Sequence, residues 1–318
     1  MKRKLLSASL CLIAAVVWGS AFSAQEIASY NADKIDAFFF GGIRFALGGV
    51  ALIPLWFIFE KNTDIPKEEK RVKYKNTIIF GIITGLVLFC ASSFQQFGIE
   101  ITQASGKAGF ITGLYLVFVP IASLIFFKRK ASPLVWIAVA FSAVGLYFLC
   151  MNGGKFVFQG GDVLLFVCAI FFAGHIIVID IFNDKVSTLR YCTVQFVAVG
   201  VFNIIAGLLF GHITWEGFVA CLGPILYCGI MSTGIAYTCQ IIGQKFTPPT
   251  VAALLFSTEG FFSVVFESIL KHRVPQGTMI LGCSLMLVGV ILSQLPADIL
   301  KGAHKKQTAP PEAHSSDA

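Results

Sequence analysis

Apolar runs of about twenty residues recur along nearly the whole of this 318-residue chain. That is the length an α-helix needs to cross the hydrocarbon core of a bilayer, where every backbone polar group must be paired within the structure. Ten spans are expected, over 5–25, 36–59, 76–97, 104–127, 134–151, 161–182, 190–210, 216–242, 249–270 and 277–295. Residues are 56% hydrophobic and 13% charged, about half the charge of an ordinary soluble domain. The fold class expected is therefore an all-α polytopic membrane protein, and the net charge of +7 needs no nucleic acid to explain it.

The distribution of that charge orients the helices. With a cytoplasmic N-terminus, inside loops collect eighteen Lys and Arg residues, among them Lys61, Lys67, Lys70, Arg71, Lys73 and Lys75 of the 60–75 loop. Outside loops hold five: Lys34, Lys107, Lys155, Lys271 and Arg273. Both termini are thus expected to be cytoplasmic. Lys2-Arg3-Lys4, the apolar run after it and Ser20-Ala21-Phe22-Ser23-Ala24 together imitate a secretory signal peptide. The repeat described below argues for keeping that segment as a span. The nine cysteines, with no Cys-x-x-Cys pair, read as small buried hydrophobes.

The stretch Gln240 to Glu259 breaks an apolar segment at Pro248-Pro249 and restarts a helix. Two prolines remove two donors and push Thr247 out of the α region, which suits Thr247 as N-cap with Pro248 at the first helical position. Glu259 then falls near mid-bilayer, where an ionisable group costs several kcal/mol unless it faces a partner or a cavity. It reads as a hydrogen-bonded structural carboxyl or as a transport residue.

Five spans per half imply halves of opposite orientation, and the sequence carries a trace of repetition. Gly106 to Phe127 leads into Lys128-Arg129-Lys130-Ala131-Ser132-Pro133, then a helix with Gly145. Val251 to Leu270 leads into Lys271-His272-Arg273-Val274-Pro275, then a helix with Gly289. Inverted repeats of this kind mark secondary transporters, with the site near the midplane at the seam. The units expected are 1–151, 152–296 and a disordered cytoplasmic tail over 297–318.

Across nearly all of its length the chain also resembles the EamA-type members of the drug/metabolite transporter superfamily. The residues that carry the likeness are Trp18-Gly19-Ser20-Ala21-Phe22, Phe40 with Arg44-Phe45, Gly109 to Tyr115 with Pro120, Gly161-Asp162, Ala173-Gly174-His175, Gly234 to Thr238 with Gln240, and Thr250 to Leu254 with Glu259. The chain departs from the family's pattern at Glu259-Gly260, where the family usually has Glu-Pro, and at His272-Arg273, where it tends to have an acidic residue near the end of the ninth helix. The resemblance implies ten helices in two inverted five-helix repeats and alternating access. It also implies export of amino acids or other metabolites across a bacterial cytoplasmic membrane.

Eight residues are candidates for a substrate cavity: Trp18, Arg44, Gln95, Tyr115, His175, Tyr237, Gln240 and Glu259. Arg44 snorkels, pairs with a carboxylate such as Glu259, or holds a substrate carboxylate. His175 is hydrogen-bonded packing or a proton-coupling imidazole. The amides and aromatics fix a substrate or bond between helices. Asp162 reads as a helix cap and Asp180 as interfacial. Gly81 with Gly85, and Gly109 with Gly113, are close-packing pairs, and Pro120 is expected to kink its helix. No cofactor or metal set is evident, and the partners expected are a small-molecule substrate and the bilayer, with protons as an optional coupling ion. The absence of a phosphate-binding Gly-Lys loop, His-Glu-x-x-His or Gly-x-Ser-x-Gly argues against an ATPase or a membrane enzyme. A channel or non-transporting membrane protein is the alternative.

Overall fold

Once several long apolar helices share one bilayer, small residues and polar contacts decide which of them meet. The computed structural model describes residues 2–60, 66–150, 159–272, 274 and 277–295, and all of the regular structure there is helical, with one isolated bridge between Ile35 and Ile213. Lys61, Lys155, Arg273 and the tail from 297 lie outside the described residues. In chain order the long helices are α1 (Lys2–Ser29), α2 (Ala37–Phe59), α3 (Lys67–Thr102), α4 (Ser105–Phe127) and α5 (Pro133–Cys150), then α6 (Gly160–Phe182), α7 (Thr188–Phe210), α8 (Leu222–Gln244), α9 (Pro249–Leu270) and α10 (Gly277–Gln294), with short helical turns at Asn183–Lys185 and Trp215–Ala220. Eight are long and apolar enough to cross a membrane, whereas α5 and α10 carry shorter apolar stretches. Those two pack chiefly on each other. Gly145 faces the Gly282 carbonyl and Gly289 faces Ser142, so the two repeat-marking glycines share one seam.

Local boundaries differ from the sequence reading in three places, each for a physical reason. The basic stretch expected as loop is helical from Lys67 onward, because Glu68 and Glu69 sit in the first turn of α3 and favour the helix N-terminus. Thr247 does not cap α9: the helix begins at Pro249, and the Thr247 hydroxyl donates to Ser7 Oγ of α1 at 3.0 Å. In α4 the interruption falls at Leu114, ahead of Pro120, which lies within the continuing helix. Asp162 does cap α6, its carboxylate accepting the Gln159 N–H at 2.7 Å and the Lys107 ammonium at 2.7 Å.

Helix α1 runs through the middle of the bundle, against α8 and α9, while α2 and α3 pack on α7 and α3 also on α6. Close approach between α2 and α8 depends on Gly48. A Cβ there would lie 2.5 Å from Thr233 Cγ2 and 2.7 Å from the Gly229 carbonyl oxygen, and that oxygen cannot move without the helix. Gly48→Ala is therefore expected to destabilise the protein by about 1–3 kcal/mol, the usual cost of overpacking. Thermal unfolding in detergent checks this, and an unchanged melting temperature would mean that the two helices separate freely.

Candidate functional site

Three of the long helices lose regularity next to or at residues that line one cavity, while α2 is interrupted at Leu52, away from it. Helix α4 breaks at Leu114, immediately before Tyr115. Helix α9 breaks over Ser257 and Thr258, immediately before Glu259. Helix α8 adopts π-helical geometry over Cys228–Ala236, just before Tyr237. Irregular backbone at membrane depth is tolerated where it is buried in protein or lines a cavity, and π-segments are frequent at functional sites.

Helix α1 supplies Trp18, Phe22 and Gln25, spaced to lie on one face, and α2 supplies Arg44. Gln95 comes from α3, Tyr115 from α4, Phe172 and Ile176 from α6, Ser232, Tyr237 and Gln240 from α8, and Phe256 and Glu259 from α9. The Trp18 indole leans on Tyr237 and Phe256, with ring centroids 4.8 and 5.5 Å apart. Tyr237 also packs near Phe45 and Phe196, so aromatic rings fix its orientation from several sides.

Charge is placed within this apolar frame with unusual economy. Arg44 is 3% exposed, and its guanidinium carbon lies 5.3 and 4.9 Å from the ring centres of Phe40 and Phe45. Such cation–π contacts partly replace lost hydration. Glu259 is 4% exposed and accepts the Tyr115 hydroxyl at 2.9 Å, tying α4 to α9 across their two breaks. Arg44 and Glu259 line the same cavity but form no ion pair with each other, nor does either with any described residue. The structure thus does not bear out the pairing of Arg44 with Glu259 as a structural salt bridge.

Several buried polar atoms on the cavity wall lack a hydrogen-bond partner among the described residues: Trp18 Nε1, Arg44 Nε, Gln25 Oε1 and Gln240 Oε1. Unpartnered buried polar atoms also occur elsewhere in the bundle, but these four belong to residues that line the cavity, within reach of a ligand. Gln95 is a weaker case, its amide lying 3.5 Å from Thr112 Oγ1. No cluster of His, Cys, Asp or Glu suited to a metal occurs among the described residues.

Seven of the eight residues singled out in the sequence meet at this cavity; His175 does not. The α6 residues facing the cavity are Phe172 and Ile176, and His175 lies on the adjoining face, edge-on to Tyr237 at 5.9 Å. It sits beside Gln195, yet neither side chain reaches hydrogen-bond geometry. Two polar cavity residues, Gln25 and Ser232, were not singled out. Helical spacing from Trp18 carries a signal for Gln25, whereas Ser232 lies within the π-segment, which no local sequence rule predicts.

The EamA-like transporter family model matches this chain twice, over residues 5–151 and 159–295. An uncharacterized transporter of Archaeoglobus fulgidus is 27% identical over 295 residues, covering 93% of this chain and 87% of that protein. Another, of Clostridium kluyveri, is 30% identical over 81 residues, 26% of each chain. A solved crystal structure at 17% identity superposes with a TM-score of 0.68 over 91% of this chain and 98% of its own, which supports the fold alone. The cavity draws residues from both matched copies, and the two copies span nearly the whole chain: this membrane protein belongs to the EamA-like transporter family of the drug/metabolite transporter superfamily.

Proposed function

We propose that the chain is a secondary transporter that exports a small zwitterionic metabolite, such as an amino acid, across a bacterial cytoplasmic membrane with both termini inside. The two matched copies act as inverted five-helix repeats, with α5 and α10 completing ten spans, and expose the cavity to each side in turn. One observation carries this reading: a buried cation and a buried carboxylate face one cavity without neutralising each other. A buried guanidinium without a carboxylate partner is costly, and a buried carboxyl with no cation beside it holds a proton. A ligand with both a carboxylate and an ammonium pairs the first and takes the proton's place on the second. Arg44 offers the planar fork that suits a carboxylate, while the remaining oxygen of Glu259 takes the ammonium. Trp18, Tyr237 and Phe256 pack the side chain between them. Glu259, alternately occupied by the ammonium and by a proton, supplies a route for proton coupling.

Counterflow in proteoliposomes tests this. Vesicles preloaded with an amino acid are expected to accumulate labelled amino acid, and to show no comparable flux for nucleosides or neutral sugars. Masking either charge, as the amide or the N-acetyl derivative, is expected to lower uptake at least about tenfold, since each charged hydrogen bond is worth ~1.5–3 kcal/mol. Equal flux for the masked compounds would remove the zwitterion reading while leaving a carrier.

A further inference from the structure

We infer that the cavity is closed by two unequal gates related by the repeat, and that the more enclosed charged gate around Lys271 holds shut the end of the bundle away from the termini. This inference rests on the transport reading above. Lys271, just past α9, places its ammonium 2.8 Å from Glu26 Oε1 of α1 and 2.6 Å from Glu267 Oε1 of α9. The other oxygens of the two carboxylates accept the first amides of α4: Ser105 N–H to Glu26 Oε2 at 2.9 Å and Gly106 N–H to Glu267 Oε2 at 2.7 Å. Those amides have no partner within their own helix, so the carboxylates both pair with them and complement the helix dipole. The gate thus ties together α1, α4 and α9, the helices that carry Trp18, Tyr115 and Glu259. Glu26 directly follows the cavity residue Gln25, and Glu267 lies two turns, ~12 Å at 1.5 Å per residue, beyond Glu259. Burial works to lower the Lys271 pKa, but its hydrogen bonds to Glu26 and Glu267 outweigh that and raise it, so the ammonium persists at neutral pH.

A counterpart closes the opposite end. Arg129, just past α4, pairs with Asp180 near the end of α6. Glu26 and Asp180 stand at the same distance from the start of their matched copies, 26 − 5 and 180 − 159 both giving 21. In each case an acid late in the first helix of one copy meets a base just after the fourth helix of the other. The two gates differ in burial. Glu26 is 0% exposed, with Glu267 at 21% and Lys271 at 24%, whereas the Arg129 side chain is 53% and Asp180 17% exposed. An exposed ion pair contributes little, while opening the first gate leaves the fully buried Glu26 carboxylate without its cation. At the first gate Gly106 leaves room for the Glu267 carboxylate: a Cβ would lie 2.4 Å from its Oε2, and the side chain would have to swing off the Gly106 amide.

Hydrogen exchange at Ser105 and Gly106, followed by mass spectrometry on the full chain in lipid nanodiscs, reads the gate directly. Lys271→Met, which leaves the buried Glu26 carboxylate without its cation, and, without altering charge, Gly106→Ala, which displaces the Glu267 carboxylate from the Gly106 amide, are expected to speed exchange there at least about tenfold. Adding Arg129→Gln to Lys271→Met weakens the other gate, shifts population toward opening at that end, and is expected to slow exchange at Ser105 and Gly106 by about threefold. A static staple would give no such reversal, so a double variant that exchanges as fast as Lys271→Met, or faster, overturns the inference. Exchange within twofold of the unaltered protein in both single variants does so as well. The measurement needs no substrate, so failure of the transport reading shows separately, as absence of counterflow.

Discussion

Arg44→Met is expected to lower counterflow of an intact amino acid by about 30-fold or more, because truncating one partner of a buried charged contact typically costs ~2–5 kcal/mol. The methionine fills similar volume between Phe40 and Phe45, so the rings that now flank the guanidinium keep a neighbour. The informative comparison is with the amino-acid amide, which has no carboxylate for Arg44 to hold. Its uptake, already poor, is expected to fall by less than about threefold in the variant if the main contact is charge on charge. Arg44→Lys keeps the charge but not the planar fork, and is expected to fall between the two. Equal losses for the acid and its amide would assign Arg44 to the architecture of the cavity instead.

How much of this site a reader of the sequence can see follows from the physics of the bilayer. Charge within an apolar run is expensive, so Arg44 and Glu259 stand out immediately, and Trp18, Gln95, Tyr115, Tyr237 and Gln240 follow as polar groups in spans. The break at Pro248-Pro249 is equally visible, because proline chemistry is local. The apolar wall is another matter. Phe22, Phe172 and Phe256 are three of 32 phenylalanines, and only packing distinguishes those that line the cavity from those that face lipid. His175 drew attention as a titratable group, yet helical phase turns it one position away from the cavity-facing Phe172 and Ile176. Glu26 lies at the end of its run, where an acid is unremarkable, and its importance rests on a partner 245 positions later, at Lys271. Spans are thus legible from composition, while the breaks at Leu114 and Ser257 and the π-segment at Cys228–Ala236 emerge from tertiary packing.

Glu259→Gln is expected to abolish both high-affinity uptake of the zwitterion and any acceleration of transport by an imposed proton gradient. The substitution is chosen because the glutamine carbonyl still accepts the Tyr115 hydroxyl that now lies 2.9 Å from Glu259 Oε1, so the tie between α4 and α9 survives. Only the charge and the proton-binding site are removed. Loss of the carboxylate's contact with a substrate ammonium is expected to lower uptake about 30-fold or more, by the same ~2–5 kcal/mol as at Arg44. Tyr115→Phe provides the complementary control. It keeps the carboxylate but strips its visible donor, which is expected to cost about 1–3 kcal/mol of stability for a buried acceptor left short of a bond. Transport in that variant is expected to retain its response to the gradient, measured as the ratio of initial efflux rates with and without an acidic exterior. The two predictions separate structure from chemistry at one carboxyl group. If Glu259→Gln transports amino acid at the unaltered rate, Glu259 holds neither ammonium nor proton, and its place in the cavity reduces to the bond with Tyr115. If instead uptake falls but the gradient still accelerates what remains, the proton travels elsewhere, and His175, buried beside Tyr237, is the next residue to replace.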